Sequence, residues 1–132
     1  MRTLFTVLAL ATLLAGCTLE RNNPLDPKNS GVEAPKEVIN IQISASGAGS
    51  TVKWVEVSWT GRAEDAGYYI YRGMSYTGRF QRLEENGIPT SASIVYPDNS
   101  VFSGNTYYYK VSAFNDSGLE GPISSPVIIT VQ

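Results

Sequence analysis

From Pro35 onward the sequence predicts an all-β chain folded as a seven-stranded antiparallel β-sandwich. Three observations support this. Apolar and polar residues alternate with a period of two in short runs. Gly, Pro, Asn, Asp and Ser punctuate the runs, and no stretch carries a convincing helical period. The runs themselves are rich in β-branched and aromatic residues, which suit a pleated surface.

The expected strands follow in order. Val38 to Ile43 alternates apolar residues with Asn and Gln. Val52 to Thr60 puts Val55, Val57 and Trp59 on one face, with Trp54, Glu56 and Ser58 on the other. Tyr68 to Arg72, Phe80 to Leu83 and Ser93 to Tyr96 come next. Tyr107 to Phe114 places Tyr107, Tyr109, Val111 and Ala113 on one side, and Val127 to Val131 closes the set. The inward set is therefore Val55, Val57, Trp59, Tyr68, Ile70, Tyr107, Tyr109, Val111 and Ala113. Trp59 is expected to fill the space between the sheets, where a buried aromatic hides roughly 150–250 Å². Trp54 stands apart, expected on the opposite sheet or beneath the N-terminal segment.

Val55-Glu56-Val57-Ser58-Trp59, Gly67-Tyr68-Tyr69-Ile70-Tyr71-Arg72 and Thr106-Tyr107-Tyr108-Tyr109-Lys110-Val111-Ser112-Ala113-Phe114-Asn115 occur in that order. In order and spacing they resemble the second, third and sixth strands of a fibronectin type III domain, over Pro35 to Gln132. The resemblance implies that Tyr107 is a tyrosine corner, its hydroxyl bonded to backbone a few residues upstream across the turn Ser103-Gly104-Asn105. It carries no adhesive function. The loop from Asp116 to Gly121 lacks Arg-Gly-Asp, which occurs nowhere in the chain. Asn115-Asp116-Ser117 matches a glycosylation acceptor in form.

The N-terminus carries a second resemblance. Met1-Arg2 is followed by an apolar run, Leu4 to Leu14, then Ala15-Gly16-Cys17. A positive start, a short apolar stretch and small residues before a cleavage point describe a secretory leader, too short to span a bilayer. Leu14-Ala15-Gly16-Cys17 resembles the lipobox of bacterial lipoproteins. That implies a leader of residues 1–16, a diacylglycerol on the Cys17 thiol, and Cys17 as first residue of the mature chain. Cys17 is the single cysteine, so it has no partner for an internal disulfide. Each buried methylene contributes about 0.8 kcal/mol, so two or three acyl chains hold a protein where one binds reversibly. Thr18 stands where an aspartate favours inner-membrane retention in enterobacterial lipoproteins, so the resemblance points to the outer membrane where the envelope has two.

Residues 17–34 read as a tether. Pro24, Pro27 and Pro35 block helix and discourage strand pairing. The seventeen residues from Thr18 to Ala34, at ~3.1 Å each, reach about 50 Å. Asn23-Pro24-Leu25-Asp26-Pro27 is similar to a segment found after the cysteine in some bacterial lipoproteins.

Composition excludes several functions. Removal of residues 1–16 leaves nine basic against twelve acidic side chains, a net charge of −3. The bases are dispersed, which argues against nucleic-acid binding. No histidine exists, so Ser-His-Asp and Cys-His catalysis are impossible and the commonest metal ligand is missing. Glu64-Asp65 and Glu84-Glu85 are the remaining acid–base candidates, and their turn-like settings predict solvated acids. No enzyme and no cofactor are expected beyond the covalent lipid on Cys17.

A candidate binding face remains. Alternation places Tyr69 and Tyr71 on the outer side of one strand, and Tyr108 and Phe114 on the outer side of its neighbour. Contiguous exposed aromatics mark interaction surfaces. The sequence reading is a lipid-anchored bacterial envelope protein displaying a non-catalytic binding or spacer module. Its alternatives are a carbohydrate-binding surface protein using the tyrosine face, and a structural subunit of an envelope or secretion assembly. The partner is the membrane, through the lipid, with an unidentified protein or glycan.

Overall fold

A computed structural model describes residues 32–90 and 94–132. The leader, Cys17 and the tether through residue 31 lie outside the described residues, as does Ser93 of the expected fifth strand. The strands are β1 (Ile39–Ala45), β2 (Val55–Thr60), β3 (Gly67–Gly73), β4 (Phe80–Arg82), β5 (Ile88–Pro89), β6 (Val95–Asp98), β7 (Thr106–Phe114) and β8 (Val127–Thr130). They form two antiparallel sheets, one ordered β1-β2-β6 and the other β4-β3-β7-β8, with β5 paired to the start of β3. The sandwich is thus the expected one, and the two-residue β5 is the strand the alternation did not announce.

Local chemistry explains the shifted boundaries. The hairpin between β1 and β2 closes at Ser46, whose N–H donates to the Trp54 carbonyl at 3.0 Å. Residues 47–54 are therefore a loop, and Trp54 sits half-buried beside that closure. β1 bulges between Ile39 and Gln42, with Asn40 at φ 56°, a conformation that asparagine tolerates better than branched residues. β6 runs through Pro97 to Asp98, because as an edge strand it can present a proline without losing a ladder bond.

The core is the inward set. Val55, Val57, Trp59, Tyr68, Ile70, Tyr107, Tyr109, Val111 and Ala113 are all buried, joined by Val38, Val101 and Val131. Trp59 meets Tyr68 edge-on, with ring centroids 5.2 Å apart. Asp65 corrects the expectation of a solvated acid. It is 4 % exposed, because the Tyr68 hydroxyl reaches back across the β2–β3 turn to donate to its Oδ2 at 2.9 Å.

Tyr107 forms the corner. Its hydroxyl accepts from the Phe102 N–H at 3.0 Å, five residues upstream. Gly104 allows the intervening turn by adopting φ +81°, which favours glycine. Tyr107→Phe is expected to cost about 1–3 kcal/mol, since it leaves the part-buried Phe102 N–H without its acceptor. A urea midpoint equal to that of the wild type would remove this role.

The inner face also holds one ionic clamp. Arg72 follows Tyr68 and Ile70 on the inward side of β3, and its Nη1 lies 2.7 Å from Asp98 Oδ2 on β6. Tyr109 donates to the same oxygen at 2.7 Å, while Asp98 Oδ1 accepts from the Ser100 N–H at 2.9 Å. The two sheets are thereby tied at one end.

The described chain enters at the other end. Arg62 donates to the carbonyls of Lys36 and Glu37, at 3.1 and 2.7 Å. Asn115 Nδ2 donates to the Glu33 carbonyl at 2.9 Å, and its Oδ1 accepts from the N–H groups of Ser117 and Leu119. The asparagine of the glycosylation-like triplet is thus engaged in holding its own turn and the entering segment.

Candidate functional site

The outer face of the β4-β3-β7-β8 sheet carries all four residues of the aromatic set. Antiparallel register sets Gly67 opposite Phe114, Tyr69 opposite Ser112, Tyr71 opposite Lys110 and Gly73 opposite Tyr108. Tyr69, Tyr71, Tyr108 and Phe114 are each half-buried rather than open to solvent.

The rings divide into two groups. Phe114 and Tyr69 lie with centroids 4.7 Å apart and planes tilted by 31°. Phe114 can lie flat over Gly67 and Gly87 because both lack a side chain. A Cβ on Gly67 would stand 2.3 Å from the ring, and one on Gly87 2.6 Å. Tyr108 belongs to the far end of the face, where Tyr76 packs edge-on at 6.4 Å and Ile128 lies opposite across β8.

Between the groups runs a polar network that alternation alone did not disclose. Arg82 on β4 lies over the Tyr69 ring, 3.7 Å from its centroid, a distance at which cation–π attraction is strong. Its Nη2 donates to the Tyr71 hydroxyl at 2.8 Å and pairs with Glu120 Oε2 at 3.0 Å. Tyr71 and Ser112 both donate their hydroxyls to Glu120 Oε1. Ser112 is consequently 0 % exposed although it points away from the core. Further along the face, Lys110 Nζ sits 4.1 Å from the Phe80 ring centroid.

Chemically this is a self-satisfied surface. The cations cover ring faces, and the carboxylate is shared by three donors. A sugar ring stacking on Tyr69 has to displace Arg82 first. Sequence reasoning missed Arg82, Ser112 and Glu120. Arg82 shares the parity of Phe80 on a short strand, a signal that was available. Glu120 arrives from a loop, and only its bridge to Phe114 places it.

Four tyrosine hydroxyls here and in the core hold their protons beyond the ordinary range. Burial raises Tyr71, with Glu120 adding to it, and burial raises Tyr68, assisted by Asp65. Burial pushes Tyr96 up to about 12, with nearby Glu84 contributing. Burial and then the Asp98 bond raise Tyr109 further. In the unfolded chain these groups titrate near 10.0. The folded state therefore binds more protons than the unfolded state once pH passes that value, and stability falls as pH rises. Urea midpoints are expected to hold from neutrality to about pH 9 and then drop between about pH 10 and 12, ahead of any arginine titration. A midpoint unchanged across that window would contradict the buried hydroxyl geometry.

An antiparallel sandwich with a tyrosine corner, a tryptophan on β2 and this strand order defines the fold as fibronectin type III in type. The sequence matches no protein-family model, and no relative is found among curated proteins. Solved structures do match. An Fn3-like protein from Clostridium thermocellum is 23 % identical with a TM-score of 0.61, over 76 % of this chain and 96 % of that one. The fn3 domain of human contactin 1 is 15 % identical with a TM-score of 0.58, over 76 % and 82 %. A β-1,2-glucanase from Parabacteroides distasonis matches at 22 % identity and a TM-score of 0.59, over 76 % of this chain but 13 % of its own length. At these identities the likeness is one of fold.

Proposed function

We propose that this chain is a lipid-anchored protein of the bacterial cell envelope, with the sandwich as a non-catalytic binding or spacer module. The observation that carries the reading is the sequence Leu14-Ala15-Gly16-Cys17 after a short apolar leader, with Cys17 the single cysteine. The fold supports the second half of the reading, since Fn3-type sandwiches are found as modules within longer chains as well as nearly alone. Thr18 after the cysteine favours the outer membrane over the inner where the envelope has two. The segment from Glu33 to Glu37 is pinned by Asn115 and Arg62, so the described chain enters at a defined end of the domain. A saccharide-binding role for the tyrosine face is the weaker reading, because Arg82 already covers Tyr69.

Cys17→Ser tests the anchor. Metabolic labelling with a fatty-acid probe should mark the wild type and leave the mutant unlabelled, as an uncleaved precursor. Equal label on both would remove the anchor.

A further inference from the structure

The segment from Glu33 to Glu37 is fixed at one end of the sandwich, and the loops at the opposite end are unlike the rest of the described surface. β1 and β2 meet there at Ala45 and Val55, β3 and β4 at Gly73 and Phe80, and β7 begins there at Thr106. The Arg72–Asp98 pair shows that these ends of the two sheets lie together. Three loops, residues 46–54, 74–79 and 99–105, therefore form one tip. Seven residues of β3 at ~3.3 Å each separate it from the tethered end by about 20 Å.

Among the described residues, four of the eight large apolar side chains that stand exposed lie in these loops: Val52 at 64 %, Met74 at 60 %, Tyr76 at 62 % and Phe102 at 70 %. Scattered exposed hydrophobics need no explanation, but such a concentration at one end does. The same loops carry no Asp or Glu, in a chain whose acids outnumber its bases; Arg79 is exposed, and Lys53 is half-buried with its Nζ donating to the Gly47 and Ala48 carbonyls at 3.3 and 3.2 Å. Both exposed aromatics are held at one point: Phe102 by its backbone N–H, which donates to the Tyr107 hydroxyl, and Tyr76 by its ring, which rests edge-on against Tyr108. An exposed aromatic on a fixed backbone loses little freedom on binding, which is what an interface anchor requires.

We infer that this tip is a docking surface for a protein partner that offers an apolar pocket rimmed by carboxylates. The inference rests in part on the lipid-anchor reading. A chain held through its N-terminal side has its anchor at the end opposite the tip, which favours a protein over the anchoring bilayer as the occupant. A second copy is disfavoured by charge, since tip against tip sets Lys53 and Arg79 against their own duplicates. Carboxylates on another protein answer Arg79 and the rim of the tip, and its apolar surface covers the exposed rings.

The test uses the full chain in the bacterium that makes it, with a benzophenone amino acid placed at Phe102, at Tyr76 or, as control, at Ile39. Ile39 is 52 % exposed at the tethered end. Cross-linking from Phe102 and Tyr76 to one and the same protein, and not from Ile39, is expected. Adding Arg79→Glu should lower the yield about fivefold or more, as removal of a complementary charge does. Fatty-acid label on Cys17 is read in the same cells, so a missing cross-link on a labelled chain overturns this inference alone. Cross-links to lipid, to a second copy, equally from Ile39, or insensitive to Arg79→Glu would each overturn it too.

Discussion

Asp98→Ala is expected to destabilise the domain by about 3–5 kcal/mol, a large part of what a module of this size possesses. The carboxylate is 3 % exposed and answers three donors: Arg72, Tyr109 and the Ser100 N–H. Truncation leaves a guanidinium that is only 23 % exposed without its counter-charge. It also strands the hydroxyl of Tyr109, a residue with no exposed surface. Breaking a buried pair from one side is costly because the remaining charge keeps its desolvation penalty. Asp98→Asn retains an acceptor for Tyr109 and should cost distinctly less. Urea denaturation of the three proteins measures both differences, and an alanine variant within about 0.5 kcal/mol of wild type would show that the clamp carries no weight.

Trp59→Ala should cost a comparable amount, about 3–5 kcal/mol, by a different route. The indole fills the space between the sheets, 3 % exposed and edge-on to Tyr68. Its removal leaves a cavity that two rigid sheets cannot collapse. Trp59→Phe should be much milder. It keeps a ring against Tyr68, and it deletes a buried Nε1–H that has no hydrogen-bond partner among the described residues. A phenylalanine variant as unstable as the alanine variant would mean that indole volume, not aromatic contact, dominates the site.

What was legible in the sequence follows from the physics of alternation. Trp59, Tyr68, Tyr109 and Val111 are inward because a period of two on a half-buried strand leaves them no other side. The corner at Tyr107 was legible through the fibronectin type III resemblance, with the Gly104 turn before the strand agreeing with it. The Arg72–Asp98 clamp was not. Parity points Arg72 inward, but its partner lies 26 residues away on the other sheet, and pairing across sheets leaves no local trace. Asp65 was read as solvated because its turn is polar, while the hydroxyl that buries it comes from a core ring. The aromatic set was located on one face correctly, but openness does not follow from facing outward. Glu120 and Arg82 close over Tyr69, Tyr71 and Ser112 from a loop and an edge strand. Side chains that cover a face from elsewhere in the chain carry no periodic signal.

The central claim is that Cys17 is the acylated first residue of a mature chain, and the intact mass of the protein extracted from membranes tests it most directly. The predicted species begins at Cys17, carries a diacylglycerol thioether with or without a third acyl chain on the new amine, and loses the added mass when its N-terminal peptide is removed. A mature chain that begins elsewhere, or at Cys17 with a free thiol and no lipid, would contradict the account.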